Sequence, residues 1–371
     1  MNIWQTLKKE KSPILVLAPM ADVTDVAFRY VIAKYGKPDV IWTEFVSADG
    51  LVLAPNNNPD EQGFTSQDKL RADLKFSNHE KPIVAQIFGS RAENIKKVSK
   101  ELVKMGFDGI DINMGCPEKN IVKQKCGSAM IKNPKLAKKI ILAAKDGVGY
   151  KKSIWSTLYA FFRFCKLDFL ANFLIFKIET IIPVSVKTRI GYNHDELETW
   201  LPNLLKVNPA VVTIHCRTRQ QMSKVPADWT RIKRAVEIRN EFYKKNFLAK
   251  HSNKNNRILI FGNGDVKNRE EANIRSKETG CDGVMIGRGI FGNPWLFGPV
   301  SKKSLSKKQV FEVVLEHTKK FVEELPHKNF AIMKKHYKSY VQDFDDAGQI
   351  RLKLMETQTY EDVEKILRNS Y

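Results

Sequence analysis

Asp108-Gly109-Ile110-Asp111-Ile112-Asn113-Met114-Gly115-Cys116-Pro117 is the stretch that decides the reading of this chain. Acidic and apolar residues alternate along it, the period of a β-strand. It then runs into Gly-Cys-Pro, which forces a sharp turn. A thiol is thereby presented at the C-terminal end of a strand, where a barrel enzyme keeps its chemistry. Taken alone, Cys116 is as readily a buried, inert cysteine. The other strand ends decide between the two.

Working outward, short β-branched runs recur, each followed by a helix-like stretch. They fall at 14–18, 39–44, 83–87, 108–112, 183–187, 210–214, 257–261 and 282–286. Eight buried-type strands alternating with helices predict a (β/α)8 TIM barrel, an α/β fold. A doubly wound sheet is the competitor, but it carries a Gly-rich turn after its first strand. Here that strand is followed by Pro19-Met20-Ala21-Asp22. Asn133-Pro134 predicts a helix start, with Pro at the first helical position.

The barrel is expected over residues 1–300, with an insertion at about 147–180 before the fifth strand. That insertion is rich in Trp, Tyr and Phe, but Arg163, Lys166 and Asp168 interrupt it. Its apolar runs stay short of the roughly 18 residues a membrane span needs. It is expected as amphipathic helix covering the N-terminal face of the barrel, with a partner or membrane-surface contact as the alternative. From about Ser301 the spacing of Val310, Val314, His317 and Phe321 predicts a small all-helical region to Tyr371.

The chain has 371 residues and a net charge of +21, from 62 Lys and Arg against 41 Asp and Glu. Such an excess points to a polyanionic partner, nucleic acid first. A generally basic proteome would give the same excess. The five cysteines are scattered, which argues for a reducing cytoplasm and against a disulfide frame or a metal site. Neither a signal peptide nor a membrane span is expected, and a monomer is.

The strand ends carry polar residues that a barrel would gather at one mouth: Glu44, Gln86, Asn113 with Cys116, Lys187 with Arg189, and His215 with Arg217. After the last two strands come Gly262-Asn263-Gly264-Asp265 and Gly287-Arg288-Gly289. Glycine N–H groups and a guanidinium suit a phosphate, which barrels often bind between strands seven and eight. Singly, each glycine motif could be a plain tight turn. With Lys187 and His215 against an electron-rich ring and Gln86 at its edge, flavin mononucleotide (FMN) meets these demands.

These motifs resemble those of the tRNA-dihydrouridine synthases. The resemblance rests on Ala18-Pro19-Met20, Gln86–Gly89, Asp111–Pro117, Val186–Arg189, Ile214–Arg219, Asn263–Asp265 and Gly287–Gly289, in order from about Ile14 to Trp295. It implies a flavin barrel that reduces the C5=C6 bond of particular uridines in tRNA. Hydride passes from reduced FMN to C6, a proton from Cys116 to C5, and NADPH is the reductant. Pro19, Met20, Ala21, Gln86, Lys187, His215, Asn263, Gly264, Asp265, Gly287 and Arg288 would contact FMN. Asn113 would help hold the uracil, with Arg189 and Arg217 as further substrate residues. Residues 301–371 are similar to the family's tRNA-binding region, with Lys334, Lys335 and Lys338 gripping the backbone. Lys328 and the neighbouring Phe330, Tyr337 and Tyr340 are expected to add to that grip. The 147–180 insertion departs from the family's short connection.

Two other readings compete. A flavin barrel acting on a small molecule, such as a dihydroorotate dehydrogenase or ene reductase, explains the mouth but not the charge. An RNA-binding protein with a dead active site explains the charge but not an intact Cys116, Lys187 and His215.

Overall fold

The structure is a computed structural model that describes residues 2–53, 59–149, 182–245, 257–342 and 344–371. Eight parallel strands form one sheet: β1 (Ile14–Leu17), β2 (Ile41–Ser47), β3 (Ile83–Phe88), β4 (Gly109–Met114), β5 (Val184–Arg189), β6 (Val211–His215), β7 (Leu259–Asn263) and β8 (Gly283–Ile286). Each pairs with the next from β2 to β8, and β8 pairs with β1. A parallel bridge between Val16 and Val40 closes the ring. This is the expected (β/α)8 barrel.

Several strands run about two residues further than the apolar runs suggest, because the backbone ladder continues past the last apolar side chain. Asn113 pairs with Lys187 in register, and His215 pairs with both Arg189 and Asn263. The polar residues therefore sit on the rigid ends of strands rather than in loops.

Two apolar layers hold the barrel. Inside, Ile14, Val16, Trp42, Val84, Val211, Leu259, Phe261 and Met285 pack together. The N-terminal helix Ile3–Glu10, capped by Asn2, inserts Trp4 among them from below. The Trp4 ring lies 5.6 Å from those of Trp42 and Phe261. Outside, the surrounding helices bury their apolar stripes on the sheet. The helix after β4 opens at Asn133-Pro134 as expected, and runs to Gly147. Most of the insertion expected at 147–180, namely 150–180, lies outside the described residues, and so does the helix expected there.

The C-terminal residues are helical: Lys307–Glu324, Lys334–Tyr340, Ala347–Glu356 and Tyr360–Arg368. Phe311, Val314 and Phe321 join the same core as Phe28 and Ile32 of the helix Val26–Tyr35. His317 stacks on Phe28 with ring centroids 4.9 Å apart. Two glycines allow closest approach: a Cβ on Gly36 would meet Pro294 and Trp295, and one on Gly292, at φ +63°, would meet the Ser339 backbone.

Candidate active site

The thiol of Cys116 stands just beyond β4, half-buried. The Asn113 side chain shapes its turn: Oδ1 accepts from the N–H groups of Gly115 (3.1 Å) and Cys116 (2.9 Å). Gly127, at φ +58°, packs so closely that a Cβ there would lie 2.8 Å from the Cys116 carbonyl. Cys116 packs against an apolar group of Phe88, Ile121 and Cys126. Burial is the main cause that pushes its thiol up from the ordinary value, outweighing the pull of Arg189 and Lys187. The group is a protonated thiol at neutral pH.

Beneath Asn113 lies a chain of hydrogen bonds. Asn113 Nδ2 donates to Gln86 Oε1 (3.0 Å), and Gln86 Nε2 donates to Asp111 (2.6 Å). Asp111 also accepts from Ser185 Oγ (2.7 Å). Sequence reasoning passed over Asp111 and Ser185 as site residues. The signal was present for Asp111, which shares the inward face of β4 with Asn113 at period two. Burial raises Asp111 to about 6, against the hydrogen bonds of Gln86 and Ser185 and the charge of Lys187.

Lys187 points into the same space from β5. Burial, then the charge of Arg189, lowers it to about 8, with Asp111 pulling the other way. His215 at the end of β6 is held well below its usual value by burial, then by Arg189, Lys187, Arg217 and Arg288. It is neutral, and Arg217 Nη1 lies 3.1 Å from its Nε2. A guanidinium can only donate, so the imidazole proton resides on Nδ1.

The glycine-containing segments expected to form a cradle follow the ends of β7 and β8. The backbone N–H groups of Gly264, Asp265, Gly287 and Arg288 find no partner among the described residues. Gly264 has φ +135°, and a Cβ there would lie 2.8 Å from Ala227 and 3.3 Å from the His215 ring. A Cβ on Gly287 would fill the space beside Met20 and Ala18. Asn263 Nδ2 donates to the Met285 carbonyl at 2.8 Å, which ties β7 to β8. Asp265 links Arg217 and Arg288, and accepts from the Ala227 N–H at 2.9 Å. Burial would raise Asp265, but these partners hold it below its ordinary value. Arg288 is 64% exposed on its side chain, and one Nη2 contact goes to Asp265 (2.8 Å). Pro19 and Met20 are half-buried and Ala21 exposed on the neighbouring loop. Unpaired N–H groups, an exposed guanidinium and a buried cation fit a phosphorylated, electron-rich ring such as FMN.

Several residues are placed otherwise than expected. Arg217 is 3% exposed, and its nitrogens bond Val225 O, His215 and Asp265. Arg189 is buried too, donating to the carbonyls of Gly115, Thr218 and Met222. Both brace the mouth from inside. Lys328 is not a free backbone grip: it bonds Glu44 (2.9 Å) and pairs with Asp73 (2.8 Å). Tyr337 and Tyr340 are fully buried, so neither can stack on a base. Lys334 and Lys335 are half-buried, and Lys335 faces Asp22, Asp25 and Glu44. Lys338 is exposed.

The chain has relatives among known proteins. The dihydrouridine synthase family profile matches residues 16–156 and 176–370. The chain belongs to the dihydrouridine synthase family. The gap in the family match, 157–175, falls within the insertion expected from the sequence. Among curated relatives, a probable tRNA-dihydrouridine synthase 2 of Bacillus subtilis is 35% identical, over 99% of this chain and 95% of that protein. A probable tRNA-dihydrouridine synthase of Staphylococcus aureus is 34% identical, over 99% and 94%. Among solved structures, morphinone reductase in complex with tetrahydroNAD is 10% identical with a TM-score of 0.43, over 76% of this chain and 85% of that one. A likeness that loose has no bearing on function. Among the described residues, no helix is long and apolar enough to cross a membrane.

Proposed function

We propose that this chain reduces the C5=C6 bond of particular uridines in tRNA to 5,6-dihydrouridine, with FMN as cofactor and NADPH as reductant. The observation that carries the reading is a protonated thiol, Cys116, on the same barrel rim as the buried ammonium of Lys187 and the glycine-lined segments after β7 and β8. Its relatives bear the same activity in their names.

When bound, FMN supplies the hydride that C6 of the uracil receives. The chain does the rest. Gly264, Asp265, Gly287 and Arg288 hold the phosphate, and Lys187 favours negative charge on the ring. Neutral His215 packs beside them and adds no charge. Met20, with Pro19 and Ala21, walls the ring. Asn113 has one Nδ2 hydrogen left after serving Gln86, and donates it to a carbonyl of the uracil. Cys116 donates its proton to C5 as general acid. Arg189 and Arg217 position the loops around this centre. Residues 301–371 contact the tRNA, with Lys338 the most available of the three lysines. The four described cysteines are free thiols, which suits a reducing cytoplasm.

The test is direct. Purified protein is expected to be yellow, to release FMN on denaturation, and to reduce uridines in unmodified tRNA with NADPH. Protein that neither carries nor takes up flavin, or reduces no tRNA uridine, overturns the reading.

A further inference from the structure

The turn after β6 presents two large apolar side chains to solvent. Met222 is 45% exposed and Val225 38%, on a crest in which Ser223, Lys224 and Pro226 are also exposed. We propose that this crest is a wedge that enters the RNA stack and fills the gap left when the target uridine is drawn out toward Cys116. The proposal rests on the function proposed above and extends it.

Position is the first argument. Arg189 donates through Nε to Gly115 O (2.7 Å) and through Nη1 to Met222 O (3.1 Å). One guanidinium therefore spans the turn that carries the general acid and the crest. The crest thus stands beside the turn that carries Cys116.

Rigidity is the second. Arg217 Nε donates to Val225 O at 2.6 Å, so each end of the crest hangs on a buried arginine. The N–H groups of Arg219 and Gln220 bond the carbonyls of Gly191 and Tyr192, each at 2.9 Å. Met222 itself holds φ +51°, a conformation that a long side chain adopts only when its surroundings impose it. The crest is a built projection.

Chemistry is the third. Lys224 is exposed on the crest, and Arg219 and Lys132 both lie over the Tyr192 ring at its base. Apolar tips among cations, in a chain of net charge +21, complement apolar base faces between phosphates. Drawing one base out of folded RNA forfeits stacking worth a few kcal/mol. Apolar side chains inserted between base steps offset such a loss, and a thioether adapts to the irregular gap.

The experiment compares two double variants of the full chain with wild type. Met222→Ser with Val225→Ser is expected to keep its flavin and its rate of flavin reduction by NADPH. Its affinity for unmodified tRNA changes little, while kcat for uridine reduction falls by about 10- to 100-fold. Met222→Leu with Val225→Ile keeps the apolar tips and is expected to turn over near the wild-type rate. A Ser pair as fast as wild type overturns the wedge, and so does a Leu/Ile pair as slow as the Ser pair. Wild-type protein that holds flavin yet reduces no tRNA uridine would instead overturn the function on which the wedge rests.

Discussion

At the scale of single residues, Cys116 bears the sharpest expectation. Cys116→Ala is expected to lose about 10²–10⁴-fold in uridine reduction, while NADPH still bleaches the bound flavin in stopped-flow absorbance. The raised thiol gives the pH dependence its sign. A general acid acts while protonated, so turnover holds through neutral pH and falls only on the alkaline side, above the ordinary thiol value of 9.0. Lys187 titrates earlier. Its ammonium is lost as pH rises through about 8, so the affinity of flavin-free protein for FMN is expected to fall there. Lys187→Met removes that dependence in a fluorescence titration. The identities of these groups were legible in the sequence because each follows an apolar run at a strand end. Where Arg189 and Arg217 point was not. Their guanidinium groups turn inward to loop carbonyls, and loop backbones leave no trace in residue type.

At the scale of elements, an ion-pair cluster joins β2 to the helical region. Lys328 joins Glu44 and Asp73 where burial is high on all three side chains. Removing one partner of a buried ion pair costs about 3–5 kcal/mol. Lys328→Met is therefore expected to lower the urea midpoint clearly, whereas exposed Lys338→Ala leaves it unchanged. His317 and His336 lie nearby, fully buried with ring centroids 4.7 Å apart. Burial depresses both, His317 to about 3. The unfolded chain binds protons near pH 6.5 that the folded chain refuses, so stability is full above that pH and falls below it. The slope is about 1.4 kcal/mol per pH unit per histidine. Urea unfolding from pH 4.5 to 7 checks this, and His336→Phe is expected to flatten the fall. Strand positions were readable to within two or three residues at each end, since apolar runs mark them. The pairing of Lys328 with Glu44 was not, because it crosses 284 positions of sequence. Helical spacing of lysines and tyrosines suggested a basic aromatic face. Spacing alone does not say which face turns inward, and the tyrosines took it.

At the scale of the whole molecule, charge sets the salt dependence. With about six phosphates contacted, tRNA affinity is expected to fall roughly 10³-fold between 50 and 200 mM salt. Replacing Lys334, Lys335 and Lys338 by Ala is expected to make that slope shallower, and Lys338→Ala alone to account for most of the change. An unchanged slope in the triple variant would place the RNA elsewhere. The two glycine contacts carry a wider consequence. Gly36 lies on Pro294 and Trp295, and Gly292 on Ser339, without room for a methyl group. Barrel and helical region thus meet backbone to backbone, across one shared core. On the proposed function, the molecule is expected to work as a caliper with welded jaws. These contacts are then expected to hold the span from the helical surface to Cys116 constant, so that a uridine is chosen by its distance along the tRNA as much as by its fit in the pocket.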